Sequence, residues 1–146
     1  MYCVRKVTED LYWVGANDHR LTFFENCFPI QRGVSYNAYC LLDDKTALFD
    51  TVDWSACRQF LENLEYVLHG RPLDYLVVNH LEPDHAACIE EVLLRYPEVT
   101  IVSNEKAFLM MRQFGFAVDA HTCVEVKEGD TLCFGRHTIT FVFAPM

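Results

Sequence analysis

The chain is predicted to fold as an α/β or α+β sandwich, on three observations. Its middle alternates short apolar strand patterns with helical ones, β-rich stretches flank that alternation, and no linker, repeat or low-complexity stretch divides the 146 residues. Length gives one domain with enough chain to bury a core.

Each element has its own warrant. Residues 4–14 read as an opening pair of strands with a turn near Thr8-Glu-Asp10. An irregular segment from 15 to 33 follows, mixing Asn17, Asp18, His19, Phe23, Phe24, Glu25 and Phe28. Residues 35–42 and 46–51 form a hairpin-like pair around Asp43-Asp-Lys45. Residues 53–69 are helical, with Cys57, Phe60, Leu61, Leu64 and Leu68 on one face, Asp53 as cap and a stop at 70–72. Residues 74–79 are apolar, short and β-branched, which marks a buried strand. Residues 86–96 set Ile89, Val92 and Leu93 at helical spacing. A strand at 99–103 and a helix at 105–114, closed by Gly115, come next. The stretches 123–126, 131–134 and 138–143, separated by turns, read as a β-meander.

Composition removes several classes of function. A hydrophobic content of 51% and an aromatic content of 14% argue against disorder. A net charge of −9 with scattered Lys and Arg argues against nucleic acid as a partner. Seven cysteines are an odd number, and none stand as Cys-x-x-Cys, so neither a zinc ribbon nor a disulfide framework is expected. Cys40 and Cys133 read as small core residues in a reducing cytosol. No signal-peptide pattern and no run of membrane-spanning length is present, so a cytoplasmic protein without a membrane role is expected. The sequence stops at Phe143-Ala-Pro-Met146, directly after a strand, as though it were the first part of a longer polypeptide.

The chemistry concentrates in His80-Leu-Glu82-Pro-Asp84-His85, four donors in six residues after a buried strand. Loops leaving the C-terminal ends of strands are where α/β proteins usually keep their sites. His80, Glu82 and Asp84 alternate, so an extended backbone puts them on one side, and Pro83 biases Glu82 toward that conformation. Taken singly, each is an ordinary helix-entry polar group, with Asp84 as N-cap. Together they form a mixed nitrogen and oxygen set suited to iron, manganese or zinc. His69 fits a helix C-terminus, and His121 and His137 fit loops. Asp50 fits a structural role, folding its turn or contacting the ligand loop. The pairs Phe23-Phe24 and Tyr36/Tyr39 fit the core.

The loop resembles the flavodiiron proteins' variant of the metallo-β-lactamase motif, in which glutamate replaces the second histidine of His-x-His-x-Asp-His. Trp13-Val-Gly-Ala16, Phe24-Glu-Asn26, Gly33-Val-Ser-Tyr-Asn-Ala-Tyr39, Thr46-Ala-Leu-Phe-Asp-Thr-Val52 and Leu73-Asp-Tyr-Leu-Val-Val-Asn-His80 are also similar to that family's N-terminal half. The resemblance implies a metallo-β-lactamase-like αββα sandwich, of which residues 1–146 supply the first half. It also implies a flavodoxin-like FMN domain downstream and homodimers that bring one subunit's flavin to the other's metals. The activity implied is reduction of nitric oxide to nitrous oxide, dioxygen to water, or both, at two non-haem irons. The donor would be rubredoxin or a flavin reductase.

By motif position, His80 and Glu82 would bind the first iron and Asp84 the second, while family members differ in whether the residue at His85 reaches metal. The family's further ligands fall past residue 146, and His19 stands where relatives often carry Trp. Glu25 and His19 are the pocket residues that would deliver protons. Two other readings compete: a zinc hydrolase on the same scaffold, against which Glu82 speaks, and an inactive fragment. Half a sandwich would expose an apolar sheet face and self-associate.

Overall fold

A seven-stranded sheet organises the chain, and its two faces are covered by different kinds of element. The computed structural model describes residues 2–24 and 26–144. In order these form β1 (Arg5–Lys6), β2 (Leu11–Trp13), β3 (Ala16–Asp18), β4 (Phe23–Phe24), β5 (Phe28–Pro29), β6 (Val34–Tyr36), β7 (Tyr39–Leu42) and β8 (Thr46–Phe49). Then come α1 (Cys57–Leu68), β9 (Tyr75–Val77), α2 (Pro83–Ala86), α3 (Ile89–Arg95), β10 (Thr100–Ser103) and α4 (Glu105–Phe114). The chain closes with β11 (Cys123–Glu125), β12 (Thr131–Cys133) and β13 (Thr138–Thr140).

The sheet order is β1-β2-β7-β8-β9-β10-β11. Its first half is antiparallel and its second half, from β8 onward, is parallel. Successive parallel strands step the same way, so right-handed crossovers bring α1, α3 and α4 to one face. Side chains alternate along each strand. Cys40, Leu48, Leu76 and Ile101 therefore pack with Phe60 and Leu64 of α1, Ile89 and Val92 of α3, and Phe108 and Met111 of α4. Asp53 caps the approach to α1 by accepting from the Ser55 amide at 2.8 Å, and α4 ends on Gly115 in the left-handed conformation.

The other face is not left bare. Leu41, Ala47, Val77 and Val102 are buried beneath the β12–β13 hairpin, whose Phe134, Leu132, Ile139 and Phe141 pack on it. The Phe134 ring sits edge-on to Tyr75 at 5.4 Å and to Phe49 at 6.5 Å. What stays open is an apolar cavity of about 410 Å³ beside Leu11, Tyr39, Leu41, Phe49 and Ile139. The expected bare sheet face is thus largely covered by the hairpin.

A polar latch holds the hairpin in place. Asp43 Oδ2 accepts from the His137 amide at 2.7 Å and lies 2.6 Å from His137 Nδ1. Arg136 donates toward Asp10 at 3.0 Å and lies 3.6 Å from Asp43. Gly135 has φ +130°, and a Cβ there would lie 2.7 Å from the Asp44 carboxylate, so only glycine fits the contact. Burial raises the Asp43 carboxyl, but the bonds from His137, Arg136 and the Asp44 amide outweigh it and hold the group well below the usual carboxylate range.

Four sequence expectations change. Phe23, expected in the core, is 51% exposed on the short β4–β5 pair. Residues 35–42 are not one strand: Val34–Tyr36 pairs with β3, and the sheet strand begins at Tyr39. Residues 123–126 leave the expected meander, because the helix before them carries the chain across to pair parallel with β10. Cys133 is exposed, since its strand neighbours Leu132 and Phe134 take the inward positions, whereas Cys40 is buried as expected.

Candidate metal centre

The site is built where β8 and β9, parallel neighbours, end side by side. The Asp50 amide donates to the Val77 carbonyl at 2.9 Å, and Ser103 Oγ donates to the Val78 carbonyl at 2.7 Å. The chain stays extended through Glu82, with φ −70° and ψ 153°, then turns helical at Pro83. Glu82, not Asp84, is the N-cap residue, and Pro83 occupies the first turn, where its missing N–H costs nothing. Asp84 therefore reaches the cluster from a helical turn and not from the continuous extended backbone that the alternation suggested.

This bend makes the donors converge. His80 Nε2 lies 3.4 Å from Glu82 Oε2 and 3.9 Å from Asp84 Oδ1. One ligand atom from each of His80, Glu82 and Asp84 falls within 4.8 Å of the others. Donors held at about 2.1 Å from one ion stand roughly 3 to 4 Å apart, so the spacing suits a cation between them. Asp84 Oδ2 faces the other way, 3.5 Å from His85 Nε2, and the two imidazole rings are 5.5 Å apart and nearly perpendicular. Asp84 thus stands between the two histidines, one oxygen toward each.

Two atoms in the cluster are buried without a hydrogen-bond partner: Asp84 Oδ1 and His85 Nδ1. A buried polar atom left unpaired costs about 1 to 3 kcal/mol, so such atoms call for an explanation. A cation among these donors supplies one for Asp84, and the nitrogen and oxygen donor set fits iron.

The loop is held by the turn after β8. Asp50 Oδ1 accepts from the amides of Asn79 at 2.6 Å and His80 at 3.2 Å, and its Oδ2 accepts from the Asn79 side chain at 3.1 Å. Burial pushes the Asp50 carboxyl above its ordinary value against these bonds. The residue adopts φ +58°, a left-handed conformation that aspartate tolerates better than most. Thr51 binds the far end of the loop through the His85 carbonyl. The Asp50 contact is one the sequence reading offers, whereas the Thr51–His85 pairing is not. The signal was present: an Asp-Thr step at the end of the strand beside the ligand strand.

His19 lies elsewhere. It is exposed, with Nδ1 3.3 Å from the Arg32 carbonyl, on a cavity shared with Trp13, Asp18, Arg20 and Gln59. Among the described residues no hydrogen bond or ion pair joins it to residues 80–85. Glu25 falls outside the described residues. His69 caps α1, and His137 serves the hairpin latch.

The layered sheet thus carries a cluster of nitrogen and oxygen donors at its strand ends, an arrangement that could hold a cation. The profile of the ODP family beta lactamase matches residues 34–146, and the chain belongs to that family. It is 36% identical over 141 residues to a nitric oxide reductase of Moorella thermoacetica, covering 96% of this chain and 35% of the relative. To the anaerobic nitric oxide reductase flavorubredoxin of Klebsiella pneumoniae it is 34% identical, covering 96% of this chain and 29% of the relative. The solved rubredoxin oxygen:oxidoreductase of Desulfovibrio gigas superposes with a TM-score of 0.87 at 31% identity, over 95% of this chain and 34% of that one. The flavodiiron protein of Giardia intestinalis superposes at 0.88 with 23% identity, over 96% of this chain and 34% of that one, and this likeness speaks to fold alone. The chain spans about a third of the length of these relatives. The expected metallo-β-lactamase-like fold, present in part, is thereby borne out.

Proposed function

We propose that the chain is the leading part of the di-iron domain of a flavodiiron oxidoreductase that reduces nitric oxide to nitrous oxide, dioxygen to water, or both. The observation that carries this reading is the convergence of His80, Glu82 and Asp84 around a buried, unpartnered Asp84 oxygen. Relatives named as a nitric oxide reductase and as a rubredoxin oxygen:oxidoreductase support the reaction class.

In this reading His80 and Glu82 would hold one iron and Asp84 the second, beside His85. An iron pair, when bound, supplies electrons one from each metal, so a two-electron reduction proceeds without releasing a radical. The chain's own residues set the stage. Asp50 fixes the backbone of His80 and Asn79 and so orients the first imidazole. The two carboxylates offset the dication charge. The Glu82 side chain is 52% exposed.

An FMN domain on the longer protein, a rubredoxin-type donor, a homodimer and a cytoplasmic location complete the proposal. All seven cysteines are free, which suits a reducing compartment, and no helix among the described residues is long and apolar enough to cross a membrane. The test is consumption of nitric oxide and of dioxygen by the full-length protein with its flavin reduced. Turnover of either gas supports the assignment. Hydrolysis of a thioester or lactam with no redox turnover overturns it in favour of a zinc hydrolase.

A further inference from the structure

Thr51 is fully buried, yet both of its polar donors meet at one atom. Its amide reaches the His85 carbonyl oxygen at 2.9 Å and its hydroxyl reaches the same oxygen at 2.6 Å. Two donors on one carbonyl fix the backbone of residue 85 in both position and direction. The imidazole has little else to hold it. Among the described residues, its one polar contact is Nε2 with Asp84 Oδ2 at 3.5 Å, beyond good hydrogen-bond length, and its Nδ1 is buried without a partner. The place of the ring is thus inherited from its backbone, and its backbone is held by Thr51.

We propose that Thr51 is the positioning residue that keeps His85 turned toward Asp84 and so makes His85 a ligand of the second metal. The inference rests on the di-iron reading above and adds to it the device that holds His85 in place to bind. Asp50 and Thr51 then divide the work. Asp50 anchors the His80 end of the loop, and Thr51 anchors the His85 end. Loss of the hydroxyl leaves a single bond to the carbonyl, and the loop regains freedom at the end where the ring's polar contact is the 3.5 Å approach to Asp84 Oδ2.

The experiment uses the full-length protein with Fe(II) added against a competing chelator, in wild type, Thr51→Val, Thr51→Ser and His85→Ala. Thr51→Val keeps the shape and removes the donor, whereas Thr51→Ser keeps the donor. The expected result is two resolved iron affinities in wild type, with the weaker-held iron losing about 10- to 100-fold in Thr51→Val, as for other residues that orient a metal ligand. His85→Ala should match Thr51→Val in the Mössbauer signature of that iron, and Thr51→Ser should match wild type. Unchanged affinity in Thr51→Val, or equal losses in Thr51→Ser and Thr51→Val, overturns the role of the hydroxyl while leaving the di-iron reading intact. Wild-type protein that binds no iron overturns the di-iron reading, and this inference with it.

Discussion

The ligand loop and the hairpin latch are both fastened by an aspartate, and they differ in whether the polar groups are complete. At the latch, Asp43 is surrounded by His137, Arg136 and two amides, and its carboxyl is pulled below the usual range. At the loop, Asp50 has amide donors but burial dominates, and its carboxyl is pushed up. In the ligand loop that Asp50 anchors, Asp84 Oδ1 and His85 Nδ1 have no hydrogen-bond partner among the described residues. The latch is finished by the protein alone, while the loop leaves polar atoms unpaired, which is the opening the proposed cation would fill. That contrast separates a structural polar cluster from a binding site better than residue type does, since both contain His and Asp.

The largest expected effects bear on each region directly. Asp84→Ala should abolish binding of at least one metal by the full-length protein, read as metal per subunit, while Asp43→Asn should leave metal content unchanged. Equal losses would erase the distinction. For stability, Phe134→Ala should cost about 3 to 5 kcal/mol by chemical denaturation, since the hairpin would lose its buried ring. In metal-free protein the two aspartates should respond with opposite signs. Asp84→Asn should be neutral or stabilising by up to about 1 to 3 kcal/mol, because it removes a buried unpaired charge, whereas Asp43→Asn should lower the Tm. A lower Tm for both would mean that Asp84 is already satisfied.

The pH dependence sharpens the contrast further. Asp43 has a folded pKa below its unfolded one, so its contribution is complete above the ordinary aspartate range and is lost as pH falls toward the folded value. Asp50 is shifted upward, so its contribution is complete at acid pH and is lost as pH rises through the folded value. Acid unfolding should therefore be shallower in Asp43→Asn and steeper in Asp50→Asn than in wild type, followed by circular dichroism. The smallest effect belongs to neither region: Arg58→Ala, which breaks an exposed pair with Glu62, should change stability by no more than about 0.5 kcal/mol.

The loop was legible in the sequence because its donors are consecutive and its strand is apolar. Phe60, Leu64 and Leu68 marked the buried face of α1 for the same reason: local periodicity reports local burial. What the sequence hid was set by partners far along the chain. Thr51 and His85 are 34 residues apart, and Asp43 and His137 are 94 apart. Nothing in the spacing of either pair announces the contact. The place of 123–126 in the parallel sheet was hidden too, because a strand's pattern names its faces and not its neighbour. His19 illustrates the converse, a polar residue in a promising segment whose side-chain hydrogen bond among the described residues is to the Arg32 carbonyl.

The central claim is that the loop from His80 to His85 is a cation site completed by iron. The most direct measurement is metal analysis of the full-length protein purified anaerobically after iron loading. About two irons per subunit are predicted, in line with a two-metal centre, with His80→Ala losing them. Protein that stays metal-free, or that carries zinc alone, would contradict the account.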